Sequence, residues 1–235
     1  RVINKGKGKA DKEYLWMVRA VQEKWVIFHY DDGSRSGKTI KRLLKGFKGY
    51  LQSDGYSAYN VFEGTEGVCL IACLAHIRRH FEQALEENRS LAENALKTIQ
   101  DLYRIEHLAD SQEYTPKERC ELRRHQSTPL LDSFEKWMES SYVKVPPRSR
   151  LGQAISYAYP LWPRMRAYLN DGCIKIDNNL AENAIRPLTL SRKNFLFCGN
   201  HEAAENTAII CSLLATCKAQ EINPREWLND VIAQL

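Results

Sequence analysis

The residues best suited to chemistry are crowded into one short stretch of the chain. Residues 177–194 hold carboxylates, amides and cations together: Asp177, Asn178, Asn179, Glu182, Arg186, Arg192, Lys193 and Asn194. A carboxylate beside cations is what a metal-assisted reaction on phosphate needs, because carboxylates bind hard cations and arginine or lysine binds phosphate oxygens. The same stretch also fits a simpler structure, the capped start of a helix.

Glu182 shows why both interpretations stand. Asn179 and Glu182 are three residues apart, as in a capping box, and Glu182 and Arg186 have the four-residue spacing of a helical ion pair. A cap of this kind is worth only about 1 kcal/mol. It does not explain why five further polar residues occur together with it: Asp177, Asn178, Arg192, Lys193 and Asn194. A catalytic and a structural role therefore both remain open for Glu182.

Asp54 is a second candidate carboxylate. Residues 49–53 predict a short strand, and Asp54 and Gly55 follow it directly. In open α/β sheets ligands gather at the carboxyl ends of strands, because the loops there face a shared crevice. Asp54 is thus either a site residue or an aspartate that caps its own turn.

A third group of candidates follows a predicted strand at residues 68–73. Cys73, His76 and His80 have the spacing C-x2-H-x3-H, which resembles half a zinc site, but no second Cys/His pair lies nearby. The alternative is a helix in which His76, Arg78 and Arg79 form a basic face that meets phosphate.

The elements that must position these residues change in type along the chain. Residues 14–20 and 25–30 are rich in aromatic and β-branched residues and predict a β-hairpin. The lysine- and glycine-rich residues 1–12 fit a solvated hairpin loop or an arm that touches phosphate. Residues 40–47 then have helical spacing of apolar residues. The front of the chain is therefore rich in strands.

The rest of the chain is predominantly helical. Residues 82–168 contain almost no strand signal and predict three long amphipathic helices, with a linker at Pro146 and Pro147. The apolar residues 208–217 predict a buried helix. A last helix starts at Asn223 and Pro224, with Asn as N-cap and Pro at the first helical position. Its apolar face consists of Trp227, Leu228, Val231, Ile232 and Leu235.

Composition sets limits on the class of protein. The 235 residues are 43% hydrophobic and 27% charged, which is ordinary for a protein with a buried core. No apolar run approaches the roughly 18 residues that span a bilayer. Seven cysteines suggest free thiols and a cytoplasmic setting rather than a disulfide framework. The net charge of +5 permits a nucleic-acid partner without requiring one.

Six segments, in order, make the sequence similar to a known family. They are residues 14–16 (Tyr-Leu-Trp), 49–56 (Gly-Tyr-Leu-Gln-Ser-Asp-Gly-Tyr), 73–81 (Cys-Leu-Ala-His-Ile-Arg-Arg-His-Phe), 102–106 (Leu-Tyr-Arg-Ile-Glu), 176–187 (Ile-Asp-Asn-Asn-Leu-Ala-Glu-Asn-Ala-Ile-Arg-Pro) and 192–197 (Arg-Lys-Asn-Phe-Leu-Phe). Together they resemble the transposase of the insertion-sequence sixty-six family, a DDE-type enzyme with a ribonuclease-H-like core. The resemblance runs over essentially the whole chain.

The resemblance implies an α/β fold, a mixed sheet interrupted by a helical insertion and followed by a helical tail. Residues 1–81 would begin the core, 82–168 form the insertion, 169–202 close the core and 203–235 form the tail. By motif position Asp54 matches the second catalytic aspartate and Glu182 the catalytic glutamate, both as metal ligands. The first aspartate of such proteins lies upstream of the Tyr-Leu-Trp segment, before the point where this chain begins. His80 departs from the family, which usually has a lysine-like residue there.

The implied activity is DNA strand cleavage and strand transfer at the ends of an insertion sequence. Mg²⁺ is the expected cofactor, with Mn²⁺ as a substitute, because the ligands are hard oxygens. Arg78, Arg79, Arg186, Arg192 and Lys193 would contact the DNA backbone. The expected partners are transposon ends and target DNA, further copies of the chain, and accessory proteins of the same element. Two alternatives remain: a catalytically incomplete DNA-binding remnant, and another two-metal nuclease on the same core.

Overall fold

The computed structural model describes residues 1–4, 9–191 and 193–234. These residues form two compact units. Unit 1 consists of Arg1–Lys45 and Asn179–Leu235, and unit 2 consists of Gly46–Asn178. No helix among the described residues is long and apolar enough to cross a membrane.

Among the described residues, the strands lie in the first third of the chain, and all α-helices except α1 follow them. The strands are β1 (Val2–Asn4), β2 (Lys9–Asp11), β3 (Leu15–Ala20), β4 (Trp25–Tyr30), β5 (Gly49–Ser53) and β6 (Val68–Ala72). The α-helices are α1 (Gly37–Leu43), α2 (Leu74–Ala84), α3 (Arg89–Ser111), α4 (Pro116–Leu122), α5 (Thr128–Tyr142), α6 (Arg150–Arg166), α7 (Asn179–Ser191), α8 (His201–Ala219) and α9 (Pro224–Ala233). The predicted mixed α/β class is confirmed.

The strands pair two by two in the described residues. β1 with β2 and β3 with β4 are antiparallel hairpins in unit 1, and β5 with β6 is a parallel pair in unit 2. The predicted hairpin at residues 14–20 and 25–30 is thus confirmed. In the region of residues 1–12, strands β1 and β2 pair and Val2 is buried, so the described part of this end of the chain is not simply a solvated loop. Residues 5–8 of the expected loop lie outside the described residues.

Helix α8 closes the outer edge of strand β4 in unit 1. The Ser212 hydroxyl accepts from Phe28 N at 2.7 Å, and the Thr216 hydroxyl accepts from Val26 N and donates to Val26 O, both at 3.0 Å. Residues two apart on a strand are separated by about 6.8 Å and residues four apart on a helix by about 6 Å, so the two spacings match. Two hydroxyls therefore satisfy the backbone of an edge that would otherwise be open to pairing.

The opposite side of α8 corrects the prediction of a wholly buried helix at residues 208–217. Ala204, Ala208 and Cys217 are buried, but Ile209 and Ile210 are more than half exposed. A sequence that is apolar around its whole circumference gives no periodicity from which the covered face could be identified.

Helix α9 begins as predicted. The Asn223 side chain accepts a hydrogen bond from Arg225 N, and Pro224 is the first helical residue. Its apolar face is only partly covered, because Leu228 and Ile232 are exposed.

Unit 2 is built around the parallel strand pair and four long helices. Helices α2, α3, α5 and α6 each turn an apolar stripe inward, as the helical periodicity predicts. The aromatic centre is Phe81, Phe134, Trp137 and Trp162, with Phe134 and Trp162 ring centroids 5.1 Å apart. The three predicted long helices correspond to α3, α5 and α6.

A buried arginine joins the helical block to the chain that follows it. Arg123 lies in one turn of π-helix, and all five of its N–H groups are used. It donates twice to the Glu106 carboxylate and to the main-chain carbonyls of Tyr168, Asp171 and Ile174, at 2.7–2.8 Å. The turn that leads into residues 175–178 is thereby fixed from the inside.

Candidate active site

The carboxyl ends of two parallel strands meet at one edge of unit 2. Ser53 of β5 is in register with Ala72 of β6, so Asp54 and Cys73 are the next residues on neighbouring strands. This is the position that the sequence predicted for Asp54, because the carboxyl ends of parallel strands present their loops to one crevice.

Asp54 is exposed, and the turn behind it is held firmly. Its Oδ1 accepts a hydrogen bond from Tyr56 N at 3.0 Å, and its main-chain oxygen accepts one from the Tyr157 hydroxyl at 2.6 Å. Gly55 has φ +83°, a conformation in which other residues are strained. Asp54 therefore begins a tight turn, as one of its two sequence interpretations predicted, and its exposed carboxylate stands at the strand end, while its role as a site residue stays a prediction.

The segment at residues 175–178 runs beside these strand ends. Leu74 N donates to Ile176 O at 3.1 Å, and the Gln52 side chain donates to Lys175 O at 2.9 Å. Asn178 N donates to the Cys73 sulfur at 3.4 Å. The structure thus brings Asp177 and Asn178 to the strand edge that carries Asp54 and Cys73.

Asp177 accepts a hydrogen bond from a tyrosine of the helical block. The Tyr103 hydroxyl donates to Asp177 Oδ2 at 2.9 Å. Burial, followed by the negative charge of Asp177 and this hydrogen bond, raises the pKa of Tyr103 well above its usual value. Tyr103 is therefore a permanent donor to Asp177 at neutral pH.

Cys73 does not have the surroundings of a zinc ligand. Burial raises the pKa of its thiol, which main-chain N–H groups counteract only in part. Among the described residues no three His, Cys, Asp or Glu side chains are grouped to hold a metal ion. The half zinc site suggested by the spacing is thus not assembled, and the ligand roles of Asp54 and Glu182 stay predictions.

The basic face predicted on α2 is present. Arg78 and Arg79 are exposed, and Arg78 forms an ion pair with Glu82 at 2.9 Å. His76 lies in the first turn of the helix and is half-buried. His80 stacks on Tyr157 with ring centroids 4.0 Å apart, and burial followed by the charges of His76 and Arg79 lowers its pKa. His80 is accordingly a neutral packing partner of Tyr157.

Glu182 belongs to unit 1, whereas Asp54 belongs to unit 2. It is half-buried in the first turn of α7, which begins at Asn179. The Arg19 guanidinium donates to Leu180 O at 3.0 Å and so ties the start of α7 to β3. The capping box and the ion pair with Arg186 stay predictions.

The remaining cations of the stretch lie on or after α7. Arg186 is exposed on that helix, and Lys193 and Asn194 are exposed in the turn that follows, where their N–H groups donate to Leu190 and Ser191 oxygens. Arg192 lies outside the described residues. Arg186 and Lys193 are thus accessible on the surface, and the contacts with the DNA backbone expected of them stay predictions.

Comparison with known proteins decides the family. The family model described as "Transposase IS66 family" matches residues 1–206. The chain belongs to the Transposase IS66 family. The resemblance noted from the six segments is therefore confirmed, and the IS66 match includes both Asp54 and Glu182.

Curated relatives of this IS66 chain have no assigned activity. Two uncharacterized proteins of Sinorhizobium fredii (strain NBRC 101917 / NGR234), y4qI and y4jD, are 32% and 31% identical over 246 residues. The matches include 98% and 99% of this chain but 45% and 48% of the relatives, so the chain spans about half their length. No solved structure matches the chain.

Two tyrosines of this IS66 chain were not singled out from sequence as site residues. Tyr103 and Tyr157 lie on different helices of the block, yet both donate hydrogen bonds to residues at the strand edge. Tyr103 belongs to one of the six segments, although that segment lies far from any candidate carboxylate in sequence. Membership of that segment was the one sequence feature that could have pointed to Tyr103 as a site residue. No sequence feature pointed to Tyr157.

Proposed function

We propose that the chain is the catalytic part of a DNA transposase that cleaves and joins strands at the ends of an insertion sequence. One observation carries the proposal: in a chain of the Transposase IS66 family, an exposed carboxylate, Asp54, stands at the carboxyl end of a parallel strand. The proposal assigns residues 1–81 and 169–202 to a ribonuclease-H-like core, 82–168 to its helical insertion and 203–235 to a tail.

Asp54 suits a hard divalent cation. Its Oδ1 accepts one main-chain hydrogen bond, and no ion pair holds the carboxylate within the part of the chain that the structure describes. The proposal assigns Asp54 and Glu182 each as a carboxylate ligand of Mg²⁺ or Mn²⁺. Two such ions would supply Lewis acidity for attack on a scissile phosphate.

The cations supply the second part of the proposal. Arg79 is exposed on α2, and Arg186 and Lys193 are exposed on or just after α7. Arginine and lysine bind DNA phosphates without reading base sequence, so these residues would position the backbone. Arg78 and Arg192 belong to the same proposed set of DNA-contacting residues. The proposed DNA partners are transposon ends and target DNA. The protein would also associate with further copies of itself in the active complex.

Reaction products distinguish this function from its two alternatives. The substrate is a plasmid that carries the coding sequence with its native flanking DNA, incubated with the protein and Mg²⁺. A transposase nicks at the element ends and then joins the freed 3′-hydroxyl to new DNA. Nicks without joining would instead identify a nuclease on the same core. Binding without nicks would identify a DNA-binding remnant.

A further inference from the structure

One face of helix α6 contacts residues 54–63, the segment that begins at the candidate metal ligand Asp54. Tyr157, Leu161 and Arg164 are spaced four and three residues apart, which places them on the same side of the helix. Each of them contacts a different part of residues 54–63. The helical block therefore reaches the strand edge through a single row of side chains.

Tyr157 makes the first of these contacts. Its hydroxyl donates to the main-chain oxygen of Asp54 at 2.6 Å, while its ring stacks on His80 at 4.0 Å between centroids and 26° between planes. The stacked ring fixes the direction of the hydroxyl. Burial, followed by the negative charge of Asp54, raises the pKa of Tyr157 to about 12, which agrees with close approach of the two residues.

Leu161 and Arg164 make the contacts that follow. A side chain added at Gly55 would lie 2.8 Å from Leu161 Cδ1, so Leu161 closes directly over the turn. Arg164 Nη1 donates to Asn60 Oδ1 at 3.0 Å, and Arg164 Nη2 lies 3.4 Å from Glu63 Oε1. The turn that begins at Asp54 is held along its length by α6.

We propose that Tyr157 is a positioning residue for Asp54, so that the helical block is part of the active-site support. The inference rests on the proposed function, because it assumes that Asp54 binds a divalent cation. Groups that orient a metal ligand commonly change metal affinity or activity by about 10- to 100-fold when they are removed. Tyr157→Phe removes only the hydroxyl and keeps the ring stacked on His80.

The chain offers a matched control on the same helix. Tyr159 is exposed, and its hydroxyl donates to Glu139 Oε1 at 2.8 Å, away from the strand edge. Tyr159→Phe therefore also removes one tyrosine hydroxyl and one hydrogen bond from α6. Both variants lose the same chemical group, so a difference in their properties is due to where the hydroxyl lies on the helix.

The test measures Mn²⁺ binding by the full protein with titration calorimetry, for wild type, Tyr157→Phe, Tyr159→Phe and Asp54→Asn. We expect Tyr157→Phe to raise the Mn²⁺ dissociation constant about tenfold, Tyr159→Phe to leave it within about twofold, and Asp54→Asn to weaken binding most. Hydrogen exchange should become faster in residues 54–63 of Tyr157→Phe alone.

Each contrary result has a separate meaning. Unchanged Mn²⁺ affinity in Tyr157→Phe, with binding lost in Asp54→Asn, overturns the positioning role and leaves the proposed function intact. Faster exchange throughout Tyr157→Phe also overturns it, because the hydroxyl then supports the fold in general. Unchanged Mn²⁺ affinity in Asp54→Asn overturns the metal assignment itself, and the inference with it.

Discussion

Arg123 and Glu106 form a two-bond ion pair inside the helical block, with Nε–Oε1 at 2.8 Å and Nη2–Oε2 at 2.7 Å. The Arg123 side chain is fully buried, and its other N–H groups bind main-chain carbonyls before residues 175–178. A buried charge is tolerated only when its partners are complete. The pair therefore couples the helical block to the segment that carries Asp177.

Replacing Arg123 should cost much of the stability of the protein. Arg123→Met leaves Glu106 with one fewer cation and three carbonyls without a donor, so we expect a loss of about 3–5 kcal/mol in the free energy of unfolding. The neighbouring Arg124 is exposed, and Arg124→Met should change this free energy by less than about 0.5 kcal/mol. Urea unfolding measures both. If Arg123→Met and Arg124→Met lowered the free energy of unfolding equally, the stabilising role of the buried Arg123 contacts would be contradicted.

Buried tyrosines should make the fold sensitive to alkali. Burial is the first cause that raises the pKa of Tyr168, to about 12, and that of Tyr103 still further. The folded state then holds these protons more tightly than the unfolded state does. Stability is thus fully present below pH 10 and is lost as pH rises toward the folded pKa.

Urea unfolding between pH 8 and pH 11.5 measures this loss. Each such group should lower the free energy of unfolding by about 1.4 kcal/mol per pH unit above pH 10. Tyr103→Phe should make the slope shallower. A free energy that stays constant up to pH 11.5 would contradict the prediction.

The hydroxyls that close the edge of β4 can be tested in unit 1. Ser212→Ala with Thr216→Val should lower the free energy of unfolding by about 1–3 kcal/mol, because main-chain groups of Val26 and Phe28 lose their partners. Hydrogen exchange should speed up at those two amides. Thr207 on the same helix donates within the helix to Ala203 O, so Thr207→Val is the control. Unchanged protection of Val26 and Phe28 would show that the hydroxyls do not close this edge.

The exposed cations should determine how salt affects DNA binding. If Arg79 and Lys193 each neutralise one phosphate, Arg79→Ala and Lys193→Ala should each reduce the slope of log affinity against log salt by about 0.9. Arg89 forms an ion pair with Glu93 at the start of α3, and Arg89→Ala should leave the slope unchanged. Fluorescence anisotropy with duplex DNA at several NaCl concentrations measures the slopes. The same slope in all four proteins would remove these residues from the DNA interface.

Local patterns in the sequence predicted the elements that carry Asp54 and Glu182. Strand β5 ends at Ser53 as expected, because Asp54 and Gly55, two residue types that favour turns, follow the run directly. The start of α9 was also predictable, because Asn223 and Pro224 suit an N-cap and a first helical residue. Information of this kind is contained within a few neighbouring residues.

Long-range partners were not predictable from the same patterns. Arg119 and Arg123 look like the polar face of a surface helix, yet both are buried against Glu106, which lies 13 and 17 residues earlier. The bond between Tyr157 and Asp54 spans 103 residues. Periodicity reports which face of a helix is apolar, but it does not report which distant polar group that helix meets.

The most direct test of the proposed function is strand cleavage by carboxylate variants. Asp54→Asn and Glu182→Gln keep the shape of each side chain and remove its negative charge. Asp101→Asn, which alters an ion pair with Arg104 at 2.8 Å, is the control. The assay uses the full protein, Mg²⁺ and the plasmid with native flanking DNA.

We expect Asp54→Asn and Glu182→Gln to bind this DNA as tightly as wild type and to produce no cleaved ends. Asp101→Asn should cleave at the wild-type rate. Cleavage by Asp54→Asn or Glu182→Gln at the wild-type rate would contradict the assignment of these carboxylates, and with it the proposed mechanism.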